Sequence, residues 1–104
     1  MLYVLYMEDG LRSAEIRAAK RDEHLAYLDR HKDILVLGGA LLAEDGKTRI
    51  GSMLVLNVAS RAEAEAFSSG EPFRRAGLYA SVKITRMRRG QWNPDAAPAT
   101  ADGS

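Results

Sequence analysis

Residues 51–63 read Gly-Ser-Met-Leu-Val-Leu-Asn-Val-Ala-Ser-Arg-Ala-Glu, and this stretch joins a strand directly to a helix. Residues 51–59 are apolar and β-branched enough to predict a strand. The run that follows, Ser60 to Glu63, is a capping box, in which each end of the motif satisfies a free backbone amide of the other. A helix is therefore expected to start at Ser60, and Gly70 is expected to end it.

The segments on either side repeat this alternation of strands and helices. Strands are predicted at residues 2–7, 34–43 and 79–87 from their apolar and β-branched composition. Residues 13–32 have helical composition, but Ile16 and Leu25 would point in opposite directions on one straight helix. We therefore expect a short helical turn near residues 12–18 and a main helix over residues 20–31. Pro72 can open a further helical turn that ends at Arg75.

The second and third strands are expected to form a hairpin. Residues 44–49 contain the turn dipeptide Asp45-Gly46. Gly38 and Gly39 lie inside the second strand, where paired glycines indicate a kink or a bulge. Because they lie within a strand and not before a helix, they do not indicate a phosphate-binding loop.

The resulting order, β-α-β-β-α-β, predicts an α+β, ferredoxin-like fold with both helices on one face of an antiparallel sheet. The strands are apolar on both faces, although a sheet with one solvated face should alternate with polar residues. A large bare apolar face is unusual on a monomer, so we expect a homodimer packed sheet to sheet, of the dimeric α+β barrel type. The alternative is that Gln91-Trp92 or the C-terminal tail covers this face.

Composition narrows the classes of function. The chain has 104 residues, a formal net charge of +1 and no cysteine. This length indicates one domain, and the near balance of charge gives no general attraction to nucleic acid or to an anionic membrane. Without cysteine there are no disulfides, thiolate nucleophiles or cysteine-ligated metals. A strand already begins at Leu2, with no signal-peptide pattern, so we expect a cytoplasmic protein.

The ferredoxin-like order is shared with RNA-recognition domains, which carry aromatic residues on the third strand. Residues 52–57 here contain no aromatic side chain, and RNA binding is therefore not expected.

The residues that can carry chemistry are few. His24 lies beside the apolar stripe of Leu25 and Leu28 on the predicted helix, at the border between core and solvent. A histidine there is available for proton transfer, or it serves only as a structural hydrogen-bonding group. Glu71 precedes Pro72 at the start of a helical turn, where it either caps that turn or pairs with His24. No metal site is expected, because His31 lies about two helical turns from His24 and no third ligand is evident.

Basic residues cluster late in the chain, at Arg74, Arg75, Lys83, Arg86, Arg88 and Arg89. Two interpretations stay open. They can form an anion site for a carboxylate or phenolate substrate beside the cleft, or they can be a solvated face that protects an edge strand.

Taken in order, these pieces resemble the YciI-like (YCII-related) family over residues 1 to about 88. The resemblance rests on the opening Leu2-Tyr3-Val4, on Arg17 ahead of His24-Leu25-Ala26, on the glycines of the second strand, on Gly51-Ser52, and on Pro72-Phe73 followed by Ala76-Gly77-Leu78-Tyr79. It implies one YCII-related ferredoxin-like domain over residues 1–90. Residues 91–104 are then a C-terminal segment, expected to be a disordered tail.

The resemblance also implies roles for individual residues. The family is dimeric and has a proposed catalytic pair, a histidine matching His24 and an aspartate matching Glu71. A family serine near that cleft matches Ser52, and we expect Ser52 or Arg17 to make a polar contact to ligand. This chain departs from the pattern at Glu71, because glutamate keeps the charge but adds a methylene.

The expected function is therefore cofactor-free acid–base chemistry, an isomerisation or elimination on a small polar or aromatic metabolite. The family includes a dehydrochlorinase acting on a chlorinated hydroxyquinol. No residue of this sequence supports assigning the same substrate to this chain. The alternative is a non-catalytic small-ligand-binding or accessory module. Ferredoxin-like monooxygenases of aromatic polyketides share the architecture, and no motif for them is present.

Overall fold

The computed structural model describes residues 1–103 and has the predicted order of elements. The strands are β1 (Leu2–Asp9), β2 (Leu35–Leu42), β3 (Arg49–Asn57) and β4 (Tyr79–Met87), and the helices are α1 (Ser13–Arg30), α2 (Arg61–Gly70) and α3 (Pro72–Arg75). A short 3-10 turn, Pro94–Ala96, lies beyond β4. The fold is thus α+β, as predicted.

The four strands form one antiparallel sheet in the order β2-β3-β1-β4. In this order β1 lies in the centre, between β3 and β4, while β2 and β4 are the edges. The register places Leu5 opposite Leu54 on β3 and opposite Ile84 on β4. Directly opposed residues share a face of a sheet, so these three side chains all point to the same side.

That side is covered by helices and holds the core. The buried cluster joins alternate residues of β1 and β3, and the residue after β3, to two residues of α2: Tyr3, Leu5, Met7, Leu54, Leu56, Val58, Ala64 and Phe67. Tyr27 and Leu28 of α1 pack against it from their partly buried positions. Full burial of each large apolar side chain in this cluster stabilises the folded state by roughly 1.5–3 kcal/mol.

The opposite face of the sheet carries Leu2, Val4, Tyr6, Met53 and Val55, and it is not covered by any element of residues 1–103. Tyr6 is 43% exposed, and Trp92, which the sequence offered as a cover for this face, is itself 60% exposed. The Trp92 ring lies under the Arg89 guanidinium instead, at 5.1 Å.

The expected break in the first helix was wrong, because α1 runs unbroken from Ser13 to Arg30. The change of apolar phase between Ile16 and Leu25 has another cause. Helix α1 buries no residue completely, and Leu25 is 45% exposed and faces a cavity instead of the core. The side of α1 that faces the core and the side that faces the cavity both carry apolar residues. The apolar residues of α1 therefore do not form a single stripe.

The second strand also differs in detail from the prediction. Gly38 and Gly39 pair regularly with Leu54 and Met53, and the register shifts lie on either side of them, near Leu35 and near Leu42. The reason for glycine is close packing, since a Cβ on Gly38 would overlap the Leu54 side chain. Gly38 therefore leaves room for the Leu54 side chain against the strand, whereas a Cβ on Gly39 would meet open space.

The predicted turns and caps are present. Asp45 organises the β2–β3 turn by accepting hydrogen bonds from the backbone amides of Lys47 and Thr48, both at 2.8 Å, with Gly46 at a positive φ of 71°. Ser60 Oγ caps α2 by accepting from the amide of Glu63 at 3.2 Å. All residues from 85 to 103 are exposed, whereas Ser104 lies outside the described residues. The predicted disorder of residues 91–104 stays a prediction.

Candidate active site

His24 and Glu71 come together although they lie far apart in the sequence. His24 is in the middle of α1, and its Nδ1 forms a hydrogen bond with Oε1 of Glu71. Both side chains are largely buried, with 17% of His24 and 5% of Glu71 exposed. Because an ionised carboxylate can only accept, this contact assigns the proton to Nδ1 of the neutral imidazole.

Glu71 is held by its position between two helices. It ends α2 and caps α3, and its Oε2 accepts a hydrogen bond from the backbone amide of Arg74 at 3.0 Å. A carboxylate buried this deeply needs such partners, since an unpaired buried charge is strongly unfavourable. The longer side chain of glutamate therefore satisfies the cap and still reaches His24.

Phe73, the second residue of α3, fixes the plane of the imidazole. The His24 and Phe73 rings are stacked, with centroids 3.8 Å apart and planes 9° apart. Phe73 is 3% exposed, so its own orientation is set by the core. The imidazole is thus held at Nδ1 by Glu71 and on one face by Phe73.

The other ring nitrogen of His24 is open. Within residues 1–103, Nε2 has no hydrogen-bond partner, yet it is not among the fully buried unsatisfied atoms. His24 lines a cavity of about 230 Å³ between α1 and the β2–β3 hairpin. An imidazole with Nδ1–H donated to a carboxylate and Nε2 accessible is the arrangement in which histidine acts as a general base.

The cavity collects residues from five elements. It is lined by Arg17, Leu25 and Leu28 of α1, by Leu35, Gly38, Gly39 and Ala40 of β2, by Arg49, Ser52 and Leu54 of β3, and by His24, Phe73 and Tyr79. All four residues predicted for the site are therefore near one another, with His24, Ser52 and Arg17 on the wall and Glu71 directly behind His24. The volume suits a single small ring with a few polar substituents.

Arg17 lines the cavity, but its terminal nitrogens are occupied. They form a bidentate ion pair with the carboxylate of Asp9 at the end of β1, with nitrogen–oxygen distances of 2.8 and 3.3 Å. The pair is buried, and the Nε of Arg17 is buried without a hydrogen-bond partner among the described residues. Asp9 was not predicted, because its position before Gly10 read only as the end of a strand.

Tyr79 is the other site residue that the sequence did not single out. Burial raises the pKa of Tyr79 to about 12, and a hydrogen bond with the Ser52 side chain partly opposes this increase. The phenol therefore stays protonated at any physiological pH and can donate a hydrogen bond to a ligand oxygen. Its signal was its place at the end of the motif Ala76-Gly77-Leu78-Tyr79, which contributed to the family resemblance.

His31 has a structural environment. Its Nδ1 lies 2.8 Å from the carbonyl oxygen of Tyr27, and its ring packs edge-on against Phe67. Within residues 1–103 no group of three or more histidine, aspartate or glutamate side chains is arranged to hold a metal ion.

The late basic residues do not line the His24 cavity. Arg74 donates to Ser68 Oγ at 2.6 Å, and Arg86, Arg88 and Arg89 lie together near Met1. The arginines at the cavity are Arg17 and Arg49 instead. No helix of the described chain is long and apolar enough to cross a membrane.

Comparison with known proteins agrees with this fold. Two curated relatives, each named Protein YciI, from Escherichia coli O6:H1 and from Shigella flexneri, are 30% identical to the chain over 96 residues, which is 86% of this chain and 98% of each relative. A solved structure, 5-chloro-2-hydroxyhydroquinone dehydrochlorinase (TftG) from Burkholderia phenoliruptrix AC1100 in complex with 2,5-dihydroxybenzoquinone, has a TM-score of 0.78 and 33% identity. The match covers 86% of this chain and 96% of that one.

The family model for the YCII-related domain matches residues 1–88, which end just after β4. The matched span includes every residue of the cavity described above. The chain therefore belongs to the YCII-related domain family.

Proposed function

We propose that the chain is a cofactor-free acid–base enzyme that acts on a small polar or aromatic metabolite in the His24 cavity. The observation that carries the proposal is the pairing of His24 Nδ1 with the Glu71 carboxylate beside an accessible Nε2. The structural neighbour is named as a dehydrochlorinase and binds a hydroxylated quinone, which supports elimination on a ring of this size.

In this proposal His24 Nε2 takes a proton from a substrate hydroxyl or an acidic C–H. The positive charge that forms on the imidazole is stabilised by the Glu71 carboxylate, which also keeps the ring in the productive tautomer. In an elimination, the electron pair released by the lost proton expels the leaving group as an anion. In an isomerisation, His24 returns the proton to another atom of the substrate.

The remaining residues position the substrate. Ser52 and Tyr79 offer hydroxyl groups on the sheet side of the cavity, and Arg17 contributes a guanidinium fixed by Asp9. Leu25, Leu28 and Leu54 supply apolar contacts to a ring. The mixture of a few polar groups on a mostly apolar wall is typical of a small-molecule site.

We further propose that the chain forms a homodimer through the uncovered face of the sheet. The support is the exposure of Tyr6, at 43%, and of Met87, at 44%, next to the partly exposed Val4, Met53 and Val55. An apolar surface of this extent on one face is a common mark of association. The expected cytoplasmic location stays an expectation.

The test uses the two compounds named for the structural neighbour. Purified protein is mixed with 2,5-dihydroxybenzoquinone to measure binding by calorimetry, and with 5-chloro-2-hydroxyhydroquinone to measure chloride release. We expect binding and turnover in the wild type, and a loss of turnover of about 10²-fold or more in His24→Gln. His31→Gln is the matched control, because His31 lies outside the cavity.

Binding without chloride release or proton exchange in the wild type would favour the alternative, a non-catalytic ligand-binding module. Equal turnover in His24→Gln and in the wild type would remove His24 from the mechanism.

A further inference from the structure

A second groove adjoins the His24 cavity and carries a concentration of positive charge. Its volume is about 400 Å³, and it lies between the first turns of α1 and the β2–β3 hairpin. Arg17 and Arg49 line both spaces, so the groove and the cavity meet at these two residues. The remaining lining residues are Ser13, Ala14, Ala18, Arg21, Lys47 and Thr48.

The groove is basic, and no acidic side chain lines it within residues 1–103. Its lining includes four cationic side chains, Arg17, Arg21, Lys47 and Arg49. The carboxylate of Asp45 in the hairpin is directed at its own turn, where it accepts hydrogen bonds from Lys47 N, Thr48 N and Thr48 Oγ1.

Three of these cations are also unpaired. Arg17 is neutralised by Asp9, but Arg21, Lys47 and Arg49 form no ion pair within residues 1–103. By contrast, Arg12 just before α1 pairs with Glu15 at 3.2 Å, and Lys20 in α1 pairs with Glu23 at 3.5 Å. Three cations without an ion pair thus lie together in the groove that adjoins the His24 cavity.

We infer that the groove formed by Arg21, Lys47 and Arg49 binds an oxyanion, a carboxylate or a phosphate, of the same molecule whose ring lies against His24. This inference rests on the proposed function and narrows its substrate class to acidic metabolites. Guanidinium and ammonium groups both suit oxyanions, and arginine binds them with two parallel hydrogen bonds. A positive groove leading to a cavity also raises the local concentration of an anionic substrate.

The experiment compares three ligands that share one ring: hydroquinone, 2,5-dihydroxybenzoate, and 4-hydroxyphenyl phosphate. Affinities come from calorimetry, and contacts come from backbone amide shifts in nuclear magnetic resonance spectra. We expect at least one of the two anions to bind roughly tenfold tighter than hydroquinone, the gain that one charged hydrogen bond gives. Its binding should shift the amides of Lys47 to Arg49 together with those around His24, and the tighter anion identifies the preferred group.

Two double variants distinguish a specific anion site in the groove from an effect of the net charge of the protein. Arg21→Ala/Lys47→Ala removes two cations that line the groove but not the His24 cavity, so it should remove most of the preference for the anion and leave the affinity for hydroquinone unchanged. Lys32→Ala/Arg61→Ala removes the same charge from exposed positions outside the groove and should keep the preference.

Equal affinities for the three ligands, with hydroquinone still shifting the amides around His24, would overturn this inference and leave the proposed function standing. Loss of preference in both double variants would overturn it too, since net charge alone would then explain the effect. An anion that shifts residues 47–49 without affecting His24 would contradict the statement that one ligand spans both spaces, and binding of none of the three would count against both proposals.

Discussion

The imidazole of His24 lies flat on the ring of Phe73, with centroids 3.8 Å apart and planes 9° apart. Phe73 is buried in α3, two residues after Glu71, which caps this helix, so the stack links the position of His24 to the same short helix that Glu71 caps. One four-residue helix thus supplies both constraints on the histidine.

Replacement of Phe73 by leucine should therefore weaken the site more than the fold. We expect Phe73→Leu to lower the free energy of unfolding by about 1 kcal/mol, the typical worth of an aromatic contact beyond its buried area. Affinity for 2,5-dihydroxybenzoquinone should fall as well, because the ring of His24 loses its support. Urea unfolding and calorimetry measure the two effects.

The matched control is Phe67→Leu, which removes an equally buried ring that does not line the cavity. It should cost similar stability and leave ligand affinity intact. A loss of affinity as large in Phe67→Leu as in Phe73→Leu would mean that the stack has no special role.

Charge and shape can be separated at Glu71. Glu71→Gln keeps the length of the side chain and an oxygen for the Arg74 amide, but it removes the negative charge beside His24. We expect turnover to fall by about 10²-fold or more, the usual contribution of an acid–base group, with a small change in stability. Glu71→Ala should in addition cost about 1 kcal/mol, because α3 loses its cap.

Glu71→Asp introduces the residue that the family resemblance implies at this position. Since the shorter carboxylate keeps the charge, activity should stay above that of Glu71→Gln, and chloride release in the two variants measures the difference. Equal activity in Glu71→Gln and the wild type would show that the carboxylate serves only as a helix cap.

The sequence predicted the order of the elements because that order depends on local signals. The capping box at Ser60, the turn at Asp45-Gly46 and the Glu71-Pro72 start of α3 each fix a boundary through nearby atoms. The resemblance then connected His24 with Glu71. Whether these residues catalyse a reaction stays a prediction.

The features that the sequence did not predict depend on contacts between segments that are distant in the chain. Asp9 pairs with Arg17 because β1 ends beside the first turns of α1, and Arg49 reaches the cavity because the β2–β3 hairpin folds toward that helix. The unbroken course of α1 was missed for the same reason. Periodicity assumes one buried face, whereas Leu25 faces a cavity.

The buried pair of Asp9 and Arg17 should be important for stability. Asp9→Ala leaves a largely buried guanidinium without its partner, and such a change typically costs about 3–5 kcal/mol. We expect a correspondingly lower urea midpoint for Asp9→Ala. In Asp9→Ala/Arg17→Met the second substitution should recover part of the loss, because no uncompensated charge remains. A double variant less stable than Asp9→Ala would show that Arg17 stabilises the fold without Asp9.

The exposed sheet face predicts the effect of a charge at Tyr6. In the proposed homodimer Tyr6→Glu would bury a carboxylate between two apolar sheets, so association should be lost and the mass measured by light scattering should fall to that of one chain. Ala62→Glu, on the exposed side of α2, should leave the mass unchanged. A wild-type protein that is already monomeric would contradict the proposed dimer.

Alkaline titration should reveal Tyr79. Burial raises its pKa to about 12 from an ordinary value of 10.0, so the folded state prefers the neutral phenol more strongly than the unfolded state does. This contribution to stability is complete below pH 10 and is lost as the pH rises from about 10 to about 12. Its full size is on the order of 3 kcal/mol.

Tyr79→Phe cannot ionise and should lose less stability over that interval than the wild type. Comparison of urea unfolding at a pH near 9 and a pH near 11 for the two proteins isolates the contribution of Tyr79, since the other tyrosines and the lysines titrate in both. The near-ultraviolet phenolate signal should likewise rise later in the wild type than it does for free tyrosine. If the two proteins lose the same stability between these pH values, the Tyr79 phenol is open to solvent, and it cannot serve as a protonated donor held in a buried wall of the cavity.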